Sequence, residues 1–155
     1  MGLDMYLKGS AFLFTDRDNP ERNLMRDGYR VSDVTLDLGY WRKHPNLHGY
    51  IVNTFAKGVD QCQDIHLAAD DIRDIIAAIK EKRLPHTQGP FFGESDGSED
   101  VESIVIFENA LTWLEAATPP AVFSEPAPGL TVVTVKTEAN AAIREVREVV
   151  YFASW

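Results

Sequence analysis

Ile72, Ile75, Ile76 and Ile79 recur at the i, i+3, i+4, i+7 spacing of one helical face. No other feature constrains the chain as tightly. An amphipathic helix over about 69–82 must lay that stripe against an apolar layer. The material for such a layer stands at both ends of the sequence. Val34, Leu36, Leu38 and Tyr40 alternate with Asp33, Thr35 and Asp37, the period of a half-buried strand within Val31–Lys43. Thr131–Lys136 and Val146–Trp155 are β-branched and aromatic, and read as two strands that pair antiparallel through a turn near 138–140, although 141–148 also fits a helical turn. Met1–Phe14 is apolar and aromatic but broken at Gly9 and Ser10, so it reads as an edge strand or the start of a hairpin. Helices in the middle with strands at both ends predict one α+β domain over 1–155, a small antiparallel sheet packed by two or three helices on one face.

The remaining segments fill in that plan. Pro45 suits the first turn of a helix running to about Ala56 and closed by Gly58, and 63–67 is a short strand. Ser98 is placed to cap a helix over about 99–117 whose stripe is Ile104, Phe107, Leu111 and Leu114, with Glu99, Asp100 and Glu102 where the helix dipole favours anions. Thr15–Arg30 is a polar surface loop with a short helical turn from Pro20 and turn chemistry at Asp27-Gly28. Leu84–Gly97 is a second loop. Four prolines in 118–129 make that stretch an irregular crossing.

Composition excludes several classes. At 155 residues and 25% charged, the chain can bury a core without metal or disulfide staples. Its net charge of −9 is unevenly placed: residues 1–56 hold seven acids and seven bases, so the whole excess lies beyond Ala56. Nonspecific nucleic-acid binding is disfavoured for that acidic part, whereas a local basic patch in the first part is not. The single cysteine, Cys62, removes an intramolecular disulfide and points to a reducing, cytoplasmic setting. Met1–Phe14 carries Asp4 and Lys8 inside its apolar run and reads as structure, not as a secretory leader. No run approaches the roughly 18 apolar residues of a membrane span.

Familiar catalytic motifs are absent: there is no phosphate-cradling P-loop, Gly-x-Gly-x-x-Gly, Gly-x-Ser-x-Gly, His-Glu-x-x-His or Cys-x-x-Cys. The first positive feature is Tyr40-Trp41-Arg42-Lys43 at a strand end, followed by His48 in the first turns of a helix. Two cations, an imidazole and a helix N-terminus suit a phosphate or carboxylate; the alternative is that Trp41 packs while Arg42 and Lys43 are solvated or paired. The second is the spacing His44-x-x-x-His48 and Cys62-x-x-x-His66. Four N/S ligands suit zinc, but Pro45 puts His44 at or before a helix cap, and neither metal nor other cofactor is expected. Cys62 with His48 as base and Asp60 orienting the imidazole is a third, enzymatic arrangement. Phe91-Phe92-Gly93 reads as a loop anchored by aromatics or a lid over a ligand.

Taken together, Met1-Gly2-Leu3-Asp4-Met5-Tyr6-Leu7, Gly39-Tyr40-Trp41-Arg42-Lys43, Leu47-His48, Gly58-Val59-Asp60-x-Cys62, Leu84-Pro85, Gly89-Pro90-Phe91-Phe92-Gly93 and the terminal Ser154-Trp155 resemble a family of small uncharacterised proteins encoded by phages, prophages and bacteria. The resemblance spans nearly the whole chain and implies a cytoplasmic protein, with no activity to carry over. It departs from the family pattern at Pro45, Tyr50, Thr54, Ala68 and Pro90; at Ala68 the relatives have a capping Ser, whose loss weakens a helix start by about 1 kcal/mol. His44 and His66 lie outside the pattern. Asp4, Tyr6, Trp41, Arg42, Lys43, His48, Asp60 and Cys62 belong to it, and are expected to meet at one end of the sheet as a ligand-binding pocket. The function expected is a non-enzymatic module for a small anion or nucleotide. The alternatives are an acidic interaction factor for a basic host or defence protein, and an enzyme using Cys62 and His48. Trp155, closing the last strand, suits a homodimer in which it covers an edge or a neighbouring copy.

Overall fold

A computed structural model describes residues 2–116, 130–136 and 142–155. The fold is α+β. One antiparallel sheet is built from β1 (Asp4–Leu13), β4 (Asp33–Arg42), β5 (Ile65–Leu67), β6 (Leu130–Lys136) and β7 (Ala142–Ser154), with β2 (Met25–Arg26) and β3 (Tyr29–Arg30) forming a separate small hairpin. Three helices, α1 (Pro45–Phe55), α2 (Ala69–Lys80) and α3 (Asp100–Glu115), share one apolar cluster with the sheet. β7 is its longest strand: β1 pairs along one edge from Glu145 to Ser154, while β6 and then β5 pair along the other. The Asp27-Gly28 turn places both residues at positive φ, as a two-residue hairpin between β2 and β3 requires.

Alternation decides which face of the sheet is covered. Leu3, Met5, Leu7, Ala11 and Leu13 are buried, as are Val149, Tyr151 and Ala153 of β7. Against them lie Leu47 and Ile51 of α1, Ile72, Ile75, Ile76 and Ile79 of α2, and Phe107 and Leu114 of α3. The isoleucine stripe is therefore buried throughout, and each side chain withdrawn from water contributes about 1.5–3 kcal/mol. The opposite face of the sheet carries Tyr6, Lys8, Ser10, Tyr40, Glu148 and Phe152, none of them buried.

Several local expectations are corrected. β1 is not an edge strand; it runs between β4 and β7. Gly9 does not break it: a Cβ there would stand 3.0 Å from both Leu38 and the Trp113 ring, so glycine is what lets the helical layer sit down on the strand. The period-two stripe of β4 fails at Leu38. Leu7 pairs with Gly39 and Lys8 with Asp37, which leaves Leu38 as a bulge and turns Tyr40 to the open face and Trp41 into the core. Residues 142–148 are strand and not a helical turn. Ser98 does not cap α3; Glu99 occupies that position without a side-chain cap bond, while the Ser98 N–H donates to Asp96. The buried stripe of α3 is Ser103, Phe107, Ala110 and Leu114, with Ile104 and Leu111 half-buried beside it. The proline-rich 118–129 and the turn near 138–140 lie outside the described residues.

Two substitutions test this packing by urea denaturation. Ala68 has the extended backbone of an N-cap, and its N–H already donates to Asp71 Oδ2 at 2.8 Å, so half of a capping box is built. Ala68→Ser is expected to complete it and stabilise the protein by about 1 kcal/mol. Gly39→Ala is expected to destabilise it by about 1–3 kcal/mol, since the added Cβ would overlap Ile106 Cγ2.

Candidate functional site

The eight residues picked out in the sequence fall into separate places. Tyr151 on β7 and His48 on α1 are both buried, and the Tyr151 hydroxyl lies 2.8 Å from His48 Nδ1. Asp60, in the loop after α1, places Oδ2 2.9 Å from His48 Nε2, and its Oδ1 accepts from the Trp155 indole at 3.3 Å. A carboxylate only accepts, so the ring proton belongs on Nε2 and Nδ1 accepts from the phenol. Burial first, and then the charge of Asp60, push the Tyr151 phenol well above its usual range, which keeps it a donor. Phe92 meets the His48 ring edge-on at a centroid distance of 5.4 Å, and Trp155 packs on Phe92 in turn. This chain joins strand, helix, two loops and the last residue.

The expected pairing of His48 with Asp60 is therefore present, but the position assigned to Cys62 is held by Tyr151. Both ring nitrogens are engaged, so His48 has none left with which to deprotonate the Cys62 thiol. Cys62 itself is half-buried in the loop after Asp60, at φ +54°. Trp155, read as cover for an edge or a neighbouring copy, packs on Phe92 and donates to Asp60 of its own chain while staying partly exposed. Phe91-Phe92-Gly93 is an anchored loop whose Phe92 is in the core.

Asp4 and Tyr6 sit on the opposite, open face. Asp4 accepts from the Tyr40 hydroxyl at 2.5 Å, a bond that raises the phenol's pKa. Tyr6 lies between Tyr40, tilted at a centroid distance of 5.3 Å, and Phe152, stacked at 5.7 Å. Arg42 is exposed and pairs across the strands with Asp4. Trp41 is in the core instead: its indole donates to Ser103 Oγ at 2.8 Å and stacks on Phe107. Lys43, at φ +59°, lays its aliphatic stem across Gly93 and Gly2. Arg42, Lys43 and His48 thus do not converge on one concave site. The four metal-like residues do not converge either, because His66 leaves the sheet on the open face, where Nδ1 lies 3.1 Å from Glu148, while His48 is on the helical side. Among the described residues no group of three or more His, Cys, Asp or Glu side chains is arranged to hold a metal ion.

A concave basic site does exist at the other end of the sheet, beyond Leu13. A cleft of about 440 Å³ is lined by Arg17, Arg22 and Arg144 together with Phe14, Asp16, Asp18 and Asn23. The loop that forms it is locked from within. Asn23 Nδ2 donates to the carbonyls of Asp16 and Pro20, its Oδ1 accepts the Asp16 N–H at 2.8 Å, and Asp16 Oδ1 accepts the N–H groups of Asp18 and Asn19. Asp16 Oδ2 stands 3.9 Å from Arg22, too far for a hydrogen bond. Arg144 lies over the Phe14 ring. The polar loop was visible in the sequence; that β7 would bring Arg144 to it was not.

No family model, curated protein or solved structure matches the chain. Among the described residues no helix is long and apolar enough to cross a membrane.

Two outcomes follow from the buried histidines. Tyr151→Phe leaves His48 Nδ1 buried without a donor and is expected to destabilise the fold by about 1–3 kcal/mol in urea denaturation. His44 is also buried, and burial lowers its pKa against the opposing charges of Glu99, Asp100 and Asp96. Below about pH 6.5 the unfolded chain takes up a proton at this position that the folded chain resists, so stability falls with falling pH down to the lowered folded value. His44→Gln is expected to flatten the denaturation midpoint measured against pH below about 6.5.

Proposed function

We propose that the protein is a binding module for small phosphate-bearing anions, nucleotides among them, and that the ligand lies in the cleft beyond Leu13. The observation that carries this reading is the meeting of Arg17, Arg22 and Arg144 around one cleft on a loop already held in shape. Guanidinium groups bind phosphate oxygens in a bidentate fork, and a preformed loop loses little entropy on binding. Two acids also line the cleft, of which Asp16 turns Oδ1 to backbone N–H groups and holds Oδ2 3.9 Å from Arg22. Arg17 has no ion pair among the described residues and is exposed, which leaves its fork for a ligand.

The open, polar cleft implies modest affinity that falls with salt. Isothermal titration with pyrophosphate, ATP and citrate tests it. The two phosphate compounds are expected to bind and citrate to bind more weakly. Arg17→Ala is expected to lose about tenfold or more in affinity, the worth of one charged hydrogen bond, without a change in melting temperature of the free protein. Absence of binding by either phosphate compound, or an Arg17→Ala variant that binds as tightly as the parent, contradicts the proposal.

A further inference from the structure

At the Asp4 end of the sheet, away from the arginine cleft, His44 precedes α1 with only 1% of its surface exposed. Its Nδ1 lies 2.9 Å from Ser95 Oγ, which also accepts the Asn46 N–H. Its Nε2 is buried and has no hydrogen-bond partner among the described residues, and the same holds for Glu99 Oε2 nearby. The imidazole borders a cavity of about 340 Å³ whose wall also includes Ser95, Asp96, Asp100 and Leu84. Asp100 Oδ1 is 3.9 Å from Nε2, beyond hydrogen-bond reach.

The lining is rich in acceptors and poor in donors. Asp96 and Asp100 contribute carboxylates, and Lys82 is the one cation on the wall, with an exposed side chain. A neutral imidazole that donates from Nδ1 to Ser95 presents a lone pair at Nε2, and a hydroxyl oxygen has capacity for both bonds it would accept. A nitrogen about 2.9 Å from both Nε2 and Asp100 Oδ1 spans the gap between them. A metal ion demands several ligands converging at about 2.0–2.6 Å, and among the described residues no group of three or more His, Cys, Asp or Glu side chains is so arranged, whereas an ammonium group reaches separate acceptors with separate N–H bonds. Leu84 and Ile79 supply an apolar wall for a carbon chain.

We propose that this cavity binds a primary alkylammonium ligand, with His44 Nε2 and the Asp100 carboxylate accepting from its nitrogen. The ligand is thus of opposite charge to the one assigned to the arginine cleft, and the two sites stand or fall separately.

The test is a titration of the ¹⁵N-labelled protein with putrescine at a pH where the histidines are neutral, following the His44 ring nitrogens by long-range ¹H–¹⁵N correlation. Parallel titrations use sodium chloride, magnesium chloride and inorganic phosphate. Putrescine is expected to give a saturable shift at His44 Nε2 that the three salts do not. Asp100→Asn is expected to weaken it about tenfold while leaving the His48 ring signals and the circular dichroism unchanged. His44→Ala is a poor probe because it opens a hole in the helix start; Asp100→Asn keeps size and shape. The absence of a saturable putrescine shift, an equal response to magnesium or phosphate, or undiminished binding by Asp100→Asn overturns the proposal.

Discussion

The hydrogen bond between Tyr151 and His48 ties the helical layer to the middle of the sheet, and much of the molecule is arranged around it. Tyr151 belongs to β7, the strand on which β1, β5 and β6 all pair. His48 belongs to α1, whose Leu47, Ile51 and Val52 enter the common core. Because Asp60 takes the second ring nitrogen, the loop after α1 is held to the same point, and Trp155 and Phe92 close over it. An imidazole satisfied on both sides and buried among aromatics fixes orientation; it does not offer a free base. That is why the histidine and the aspartate here form a structural tie.

The anchored loops also decide what the two ends of the sheet can do. At the Asp4 end, carboxylates of the α3 N-terminus gather near His44, and Lys43 is laid over glycine with its stem used in packing. At the Leu13 end, the loop after β1 is organised by Asn23 and Asp16, and three arginines share a cleft. The separation matters more than the net charge of −9. The arginines of the cleft come from the electrically balanced first part of the chain and the start of β7, while the acidic excess is displayed elsewhere, much of it on α2 and α3, where Lys80–Glu108 bridges the two helices.

What could be read from the sequence was whatever a period or a turn dictates locally. The isoleucine stripe of α2, the Pro45 start of α1 and the Asp27-Gly28 turn each follow from spacing or backbone chemistry alone. Leu38 shows the limit: a bulge depends on how two strands settle their register, and no residue of β4 announces it. Gly9 shows another, since a glycine that admits Trp113 looks in isolation like one that ends a strand. In the candidate sites the near neighbours His48 and Asp60 were legible as a pair. Tyr151 was not, being 103 residues from its partner inside an apolar strand, and neither was Arg144, whose place at the cleft follows only from the pairing of β7 with β1.

The central claim is that phosphate recognition belongs to the cleft beyond Leu13 and not to the Arg42-Lys43 strand end. Arginine side-chain Nε–Hε resonances, followed while pyrophosphate is added, address it residue by residue. The account predicts shifts at Arg17, Arg22 and Arg144 that saturate together, with Arg42 unmoved. Saturable shifts at Arg42 with the three cleft arginines silent would contradict it.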